Sequence, residues 1–247
     1  MTRHAAARLF VALDLPVEVR AQLAGWARRC ASGLRAAAFA GEREDERPAH
    51  GGASGHLARG RAGGRGEGGH ADREPRRHGC AGARGELRLL DPETLHVTLC
   101  FLGDRPVGEI DVIGEALAIA CTEAGPVGPL ALGAPLWLPA RRPRALAVEL
   151  HDDADGALHA LQRAILRELT AVCQLEPDDA AGGGGRRFYP HITVARLRSG
   201  DAPRQRALPA TPALAFAAGA VTLQRSWLKP SGADYECLSS HALAAQP

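Results

Sequence analysis

The chain has 247 residues, 45% of them hydrophobic, which is enough for one globular domain or two small ones. Its formal net charge of +2 excludes a broad nucleic-acid-coating surface, so an anionic substrate must be held by a local site. The start, Met1 to Ala7, is short and polar, without a signal-peptide pattern, and no run of about 18 apolar residues follows, so a cytoplasmic protein with no membrane span is expected.

Arg8 to Leu13 reads as a strand ended by Asp14-Leu15-Pro16. Val17 to about Ser32 reads as an amphipathic helix, because Val19, Leu23, Trp26 and Cys30 recur at helical spacing. The composition then changes. Residues 41–84 are dominated by Gly, Arg, Glu, His and Ala, with almost no large apolar residue. Such a stretch cannot bury enough surface to offset its ordering entropy, and it is expected to be a disordered insertion or a long loop. It holds four histidines (His50, His56, His70, His78), whose spacings fit no ligand motif.

Order is expected to resume at Glu86 to Leu90 and continue to Leu102, with Gly103-Asp104-Arg105-Pro106 as a turn. A helix follows over about Val107 to Glu123, then strands over Leu130 to Leu138 and Ala145 to Leu150. A third helix, Ala154 to Cys173, carries Leu158, Leu161, Ile165 and Leu169 on one face. Asp178 to Gly185 reads as a flexible loop, Arg187 to Leu197 as a strand, and Leu214 to Ala217, Ala220 to Leu228 and Tyr235 to Leu238 as three short closing strands. The order predicts an α+β protein of two similar lobes. The six cysteines (Cys30, Cys80, Cys100, Cys121, Cys173, Cys237) include no C-x-x-C pair and are expected to be reduced and mostly buried.

One short pattern occurs twice, as Leu95-His96-Val97-Thr98-Leu99 and Pro190-His191-Ile192-Thr193-Val194. Residues two apart in a strand share a face. Each copy therefore points an imidazole and a hydroxyl into the same space, and two such strands facing each other would make a site with two titratable groups and two hydroxyl donors. By the same alternation Cys100 falls on the face of His96 and Thr98. A neutral imidazole can take a proton from attacking water, while an imidazolium across the phosphorus protonates the departing alkoxide. Thr98 and Thr193 can donate to the non-bridging oxygens. No H-E-x-x-H and no carboxylate cluster accompanies the histidines, and no metal is required. One H-x-T triplet is weak evidence; two in predicted strands, one in each lobe, are far less common by chance.

On these residues the chain resembles the 2H phosphoesterase superfamily. Its flanks are similar to the RNA 2′,3′-cyclic phosphodiesterases, also called 2′-5′ RNA ligases. They are Arg8 to Pro16, Leu95 to Leu99 with Phe101-Leu102-Gly103, Phe188 to Arg196, and the Leu223 to Leu238 region with Ser226, Gly232 and Tyr235. The resemblance covers nearly the whole chain outside residues 41–84. It implies a bilobal α+β fold, with two pseudo-symmetric lobes of antiparallel sheet and outer helices around a central cleft. It implies hydrolysis of RNA 2′,3′-cyclic phosphate ends to 2′-phosphate with no cofactor, by a monomer. His96 would be the proton donor and His191 the proton acceptor, with Thr98 and Thr193 on the phosphate. Arg196 matches a substrate-contacting arginine, although strict alternation puts it on the face opposite His191, so a bulge or strand end is needed to aim it inward. Phe10 matches an aromatic near the cleft, where the alternatives are stacking on a base and burial in the core. Other readings are the opening of a small cyclic nucleotide, the cleaving or joining of 2′-5′ linkages, and a non-catalytic RNA-end binding module. Loss of a motif His or Thr would favour the last, and none is lost.

Overall fold

The computed structural model describes residues 5–45, 87–152, 156–173, 175, 188–197, 203, 207–229 and 232–245. The four insertion histidines, Cys80, and the expected 178–185 loop lie outside the described residues.

Among the described residues nine strands form one curled sheet: β1 (Ala6–Asp14), β2 (Leu87–Leu89), β3 (His96–Pro106), β4 (Leu130–Leu138), β5 (Ala145–His151), β6 (His191–Leu197), β7 (Ala215–Phe216), β8 (Ala220–Lys229) and β9 (Gly232–Ala242). Their order is β7-β4-β5-β6-β3-β1-β8-β9, with β2 added to β6, and every pairing is antiparallel. Two lobes meet at the β3–β6 joint, where one residue pair, Val97 with Ile192, carries the strand pairing. Outward from that joint one lobe reads β3-β1-β8-β9 and the other β6-β5-β4-β7. The lobes are not sequence halves, because β8 and β9 return to the lobe that β1 began.

Among the described residues three α-helices pack on this sheet: α1 (Val17–Asp45), α2 (Ile110–Ala124) and α3 (Ala157–Cys173). α1 packs against β2 and β6; α2 packs against α3, β8 and β9. The packing follows from alternation. In β1, Ala7, Leu9, Val11 and Leu13 are all buried in one apolar core with Leu23, Trp26 and Cys30 of α1. The Trp26 indole N–H is satisfied by the Pro209 carbonyl at 3.3 Å. Cys30, Cys100, Cys121 and Cys173 are free and buried, and Cys237 is free and exposed. Among the described residues no helix is long and apolar enough to cross a membrane.

Several boundaries differ from the sequence reading. α1 runs to Asp45, past Ser32 and into the stretch read as disordered from 41 onward. Its later part is built from Ala, Arg and Glu, strong helix formers that carry no apolar periodicity. The ordered stretch expected from Glu86 to Leu102 holds two strands, separated by a short 3₁₀ turn at Pro92–Thr94 that Asp91 caps by accepting from the Glu93 amide at 3.0 Å. Gly103 to Pro106 is no turn: β3 continues through it, paired to β1 as far as Ala6 with Pro106. A bulge at Leu102 and the left-handed φ of +68° at Gly103 absorb the irregularity that the glycine suggested. The last strand extends over Gly232–Ala242, well beyond Tyr235 to Leu238.

Candidate active site

The two motif strands do not face each other across a gap. They are neighbours in the sheet, and the middle residues of the motifs, Val97 and Ile192, form the joining pair. Continuing that antiparallel register sets His96 beside Thr193 and Thr98 beside His191. Val97, Leu99, Ile192 and Val194 are buried, whereas His96, Thr98, His191 and Thr193 are half-buried on the opposite face. The site is thus a quartet around a local two-fold, with an imidazole and a hydroxyl from each strand.

Both imidazoles are held in the same way. His96 Nδ1 lies 2.7 Å from the Thr94 carbonyl and His191 Nδ1 2.8 Å from the Tyr189 carbonyl. A carbonyl only accepts, so in each ring the Nδ1–H donates and Nε2 is left for chemistry. Neither threonine hydroxyl has a hydrogen-bond partner among the described residues.

Both motif strands carry a bulge at the same place. In β3, Val11 pairs with Cys100 and Ala12 with Thr98, so Leu99 is an extra residue. In β6, Leu146 pairs with Ala195 and Ala147 with Thr193, so Val194 is extra. Each bulge shifts the alternation by one residue. Cys100 therefore turns into the core, 1% exposed, with its thiol toward the Phe101 carbonyl, and does not line the site as strict alternation suggested. Arg196 is brought round to the exposed face of His191 and Thr193, and its charge is felt at His96. The matching position in β3 is Phe101, 48% exposed, a residue whose orientation strict alternation had missed.

Phe10 is buried, but not in the helix-side core. Its ring lies 5.0 Å from His96 and 5.2 Å edge-on from Tyr235, which itself lies 5.5 Å from His96. Phe10 thus forms the floor beneath His96 and is covered by that ring, so it offers little face to a base. Tyr235 forms an adjoining wall.

Burial pushes the His96 imidazolium below the ordinary imidazole range. The Thr94 carbonyl opposes this, and the charges of Arg196, His191 and Arg20 reinforce it. A carboxylate flanks each histidine on the outer strand, since Asp14 pairs with His96 and Glu149 with His191. Burial raises the Asp14 pKa against the pull of Arg20, 3.6 Å away. Glu149 accepts from the Tyr189 hydroxyl at 2.5 Å, and burial together with that carboxylate pushes the phenol up to about 12. Both carboxylates are thus engaged by neighbours. Among the described residues no group of three or more His, Cys, Asp or Glu could hold a metal ion.

A family model described as the 2′-5′ RNA ligase superfamily matches residues 76–226, which include both motif strands. A protein of Thermus thermophilus named RNA 2′,3′-cyclic phosphodiesterase is 32% identical over 158 residues, 63% of this chain and 75% of that one. One of the same name from Geobacillus stearothermophilus is 28% identical over 159 residues, and the chain spans about half of it, 47%. Among solved structures, TT0787 of Thermus thermophilus matches at TM-score 0.59 and 25% identity, over 97% of this chain and 100% of that one. Escherichia coli LigT complexed with 3′-AMP shares the fold at TM-score 0.59 and 20% identity, over 98% and 100%. With the fold recovered in solved structures and both His-x-Thr strands inside the matched segment, this chain belongs to the 2′-5′ RNA ligase superfamily.

Proposed function

We propose that the protein hydrolyses 2′,3′-cyclic phosphate ends of RNA to 2′-phosphates, without a metal, through the His96–Thr98–His191–Thr193 quartet. The observation that carries this reading is the matched pair of imidazoles, each tied at Nδ1 and free at Nε2, on one face of two joined strands. The relatives named RNA 2′,3′-cyclic phosphodiesterase support the substrate class.

In the proposed step His191 Nε2 takes a proton from water as its oxygen bonds to phosphorus. The P–O3′ bond breaks, and His96 Nε2 gives its proton to O3′, leaving a phosphomonoester on O2′. Thr98 and Thr193 donate to the non-bridging oxygens, where negative charge grows, and Arg196 supplies a positive charge nearby. Both proton transfers and the charge stabilisation come from the chain. The depressed His96 pKa makes a loaded His96 a stronger acid, at the cost of a smaller loaded fraction. With a 5′-hydroxyl in place of water the same groups would form a 2′-5′ linkage, the reaction that the superfamily's description names. The reading places the protein in the cytoplasm as a monomer.

The test is turnover of a nucleoside 2′,3′-cyclic phosphate in EDTA, with the products resolved. EDTA-resistant formation of the 2′-phosphate is the expected result. No turnover on this substrate, nor on an RNA ending in a cyclic phosphate, would sink the reading.

The pH profile gives a second check. The reaction needs one imidazole charged and the other neutral, so it stops when both are protonated. Burial, which lowers the His96 pKa, opposes that double protonation. The acid limb of kcat/KM is therefore expected below the ordinary imidazole value of about 6.5. An acid limb at or above that value would contradict the buried environment of His96.

A further inference from the structure

The β8–β9 hairpin outruns β1. The last β1–β8 pair is Leu9 with Arg225, whereas the hairpin continues through Trp227 with Asp234 to Lys229 with Gly232. Between this tip and the 3₁₀ turn before β3 lies an open groove of about 500 Å³, lined by Thr94, Trp227, Lys229, Asp234 and Tyr235. Two of its walls touch the catalytic imidazole: the Thr94 carbonyl holds His96 Nδ1, and the Tyr235 ring packs edge-on to His96. The groove therefore adjoins the quartet on its His96 side.

Its chemistry is that of a nucleotide site. Trp227 keeps 38% of its surface exposed, and the Arg225 guanidinium lies 4.7 Å from the ring centroid, which steadies the indole plane. Lys229 is exposed and paired with Asp234. An exposed pair of this kind is worth little in water, so the ammonium is cheaply turned to a phosphate. A flat aromatic beside a cation suits a base and its backbone phosphate, whatever the base.

We propose that this groove binds the nucleotide on the 5′ side of the cyclic-phosphate nucleotide, with its base on Trp227 and its phosphate at Lys229. The inference rests on the reaction assigned above. A 2′,3′-cyclic phosphate ends its chain, so every other nucleotide lies on the 5′ side, and a groove adjoining the quartet is within reach of the next one. The enzyme thereby favours the end of a polynucleotide over a free cyclic mononucleotide.

The test compares kcat/KM for adenosine 2′,3′-cyclic phosphate with that for the dinucleotide adenylyl-adenosine ending in the same group. The wild-type protein, Trp227→Ala and Trp227→Phe are measured with both. The wild type is expected to favour the dinucleotide by about tenfold or more, the scale of one base stacked on an aromatic ring. Trp227→Ala should bring the ratio close to one, losing far more on the dinucleotide than on the mononucleotide. Trp227→Phe, which keeps a ring, should keep most of the preference. A wild-type ratio near one, or a Trp227→Ala protein that retains the preference, overturns the groove assignment while mononucleotide turnover leaves the reaction standing. Absence of turnover on both substrates overturns the reaction, and the groove with it.

Discussion

His96→Ala and His191→Ala are each expected to lower kcat/KM for a 2′,3′-cyclic phosphate by about 10²- to 10⁴-fold, the range for loss of one positioned general acid or base. The double variant should fall little further than the worse single one, because groups acting in one transition state are not additive. Unfolding curves should stay close to wild type, since both rings are half-buried and project from strands anchored by Val97, Leu99, Ile192 and Val194 on the other side. A second substrate separates the two roles. In a cyclic phosphorothiolate with sulfur at the 3′ position the leaving thiolate needs no proton. On that substrate His96→Ala should recover most of its activity, and His191→Ala should recover little. The reverse pattern would exchange acid and base between the two strands. Equal loss on both substrates would mean that neither imidazole delivers the leaving-group proton.

Much of this site was legible because a strand has a period of two. Residues 96 and 98, and 191 and 193, had to share a face wherever the strands ran, and they do. Helical spacing likewise marked the buried face of α1, with Val19, Leu23, Trp26 and Cys30 in the core. What strict periodicity cannot show is where it breaks. The bulges at Leu99 and Val194 leave no glycine or proline in the sequence, because each extra residue is an ordinary apolar side chain that finds room in the core. They decide that Cys100 is buried, that Phe101 is exposed, and that Arg196 joins the face of His191. The repeat of the motif offered one clue: residues with the same offset from each histidine, Phe101 and Arg196, should share a fate. The partnering of the strands was hidden for a different reason. Register between distant segments depends on the whole sheet, so two motifs that could equally line opposed walls are adjacent strands joined at Val97 and Ile192. Gly103 shows the opposite error, since a turn-forming residue was accommodated inside a strand by its left-handed φ.

Thr98→Val and Thr193→Val test the other half of the quartet. Valine keeps the β-branched shape that a strand favours and removes only the hydroxyl. Each variant is expected to lose about 10²-fold in kcat, the lower end of the range for removal of one donor to a developing oxyanion. KM should change much less, because charge on the non-bridging oxygens peaks in the transition state and an interaction gained there lowers the barrier without tightening ground-state binding. The register sets each threonine beside the histidine of the other strand, so the two losses should be of similar size. The hydroxyls have no protein partner among the described residues to lose, so thermal stability should hold or rise slightly. A fall in melting temperature with kcat intact would make the threonines structural. A large rise in KM with kcat unchanged would make them binders of the ground-state phosphate, and the charge stabilisation would then fall to Arg196, whose replacement by methionine should in that case lower kcat more than either threonine variant does.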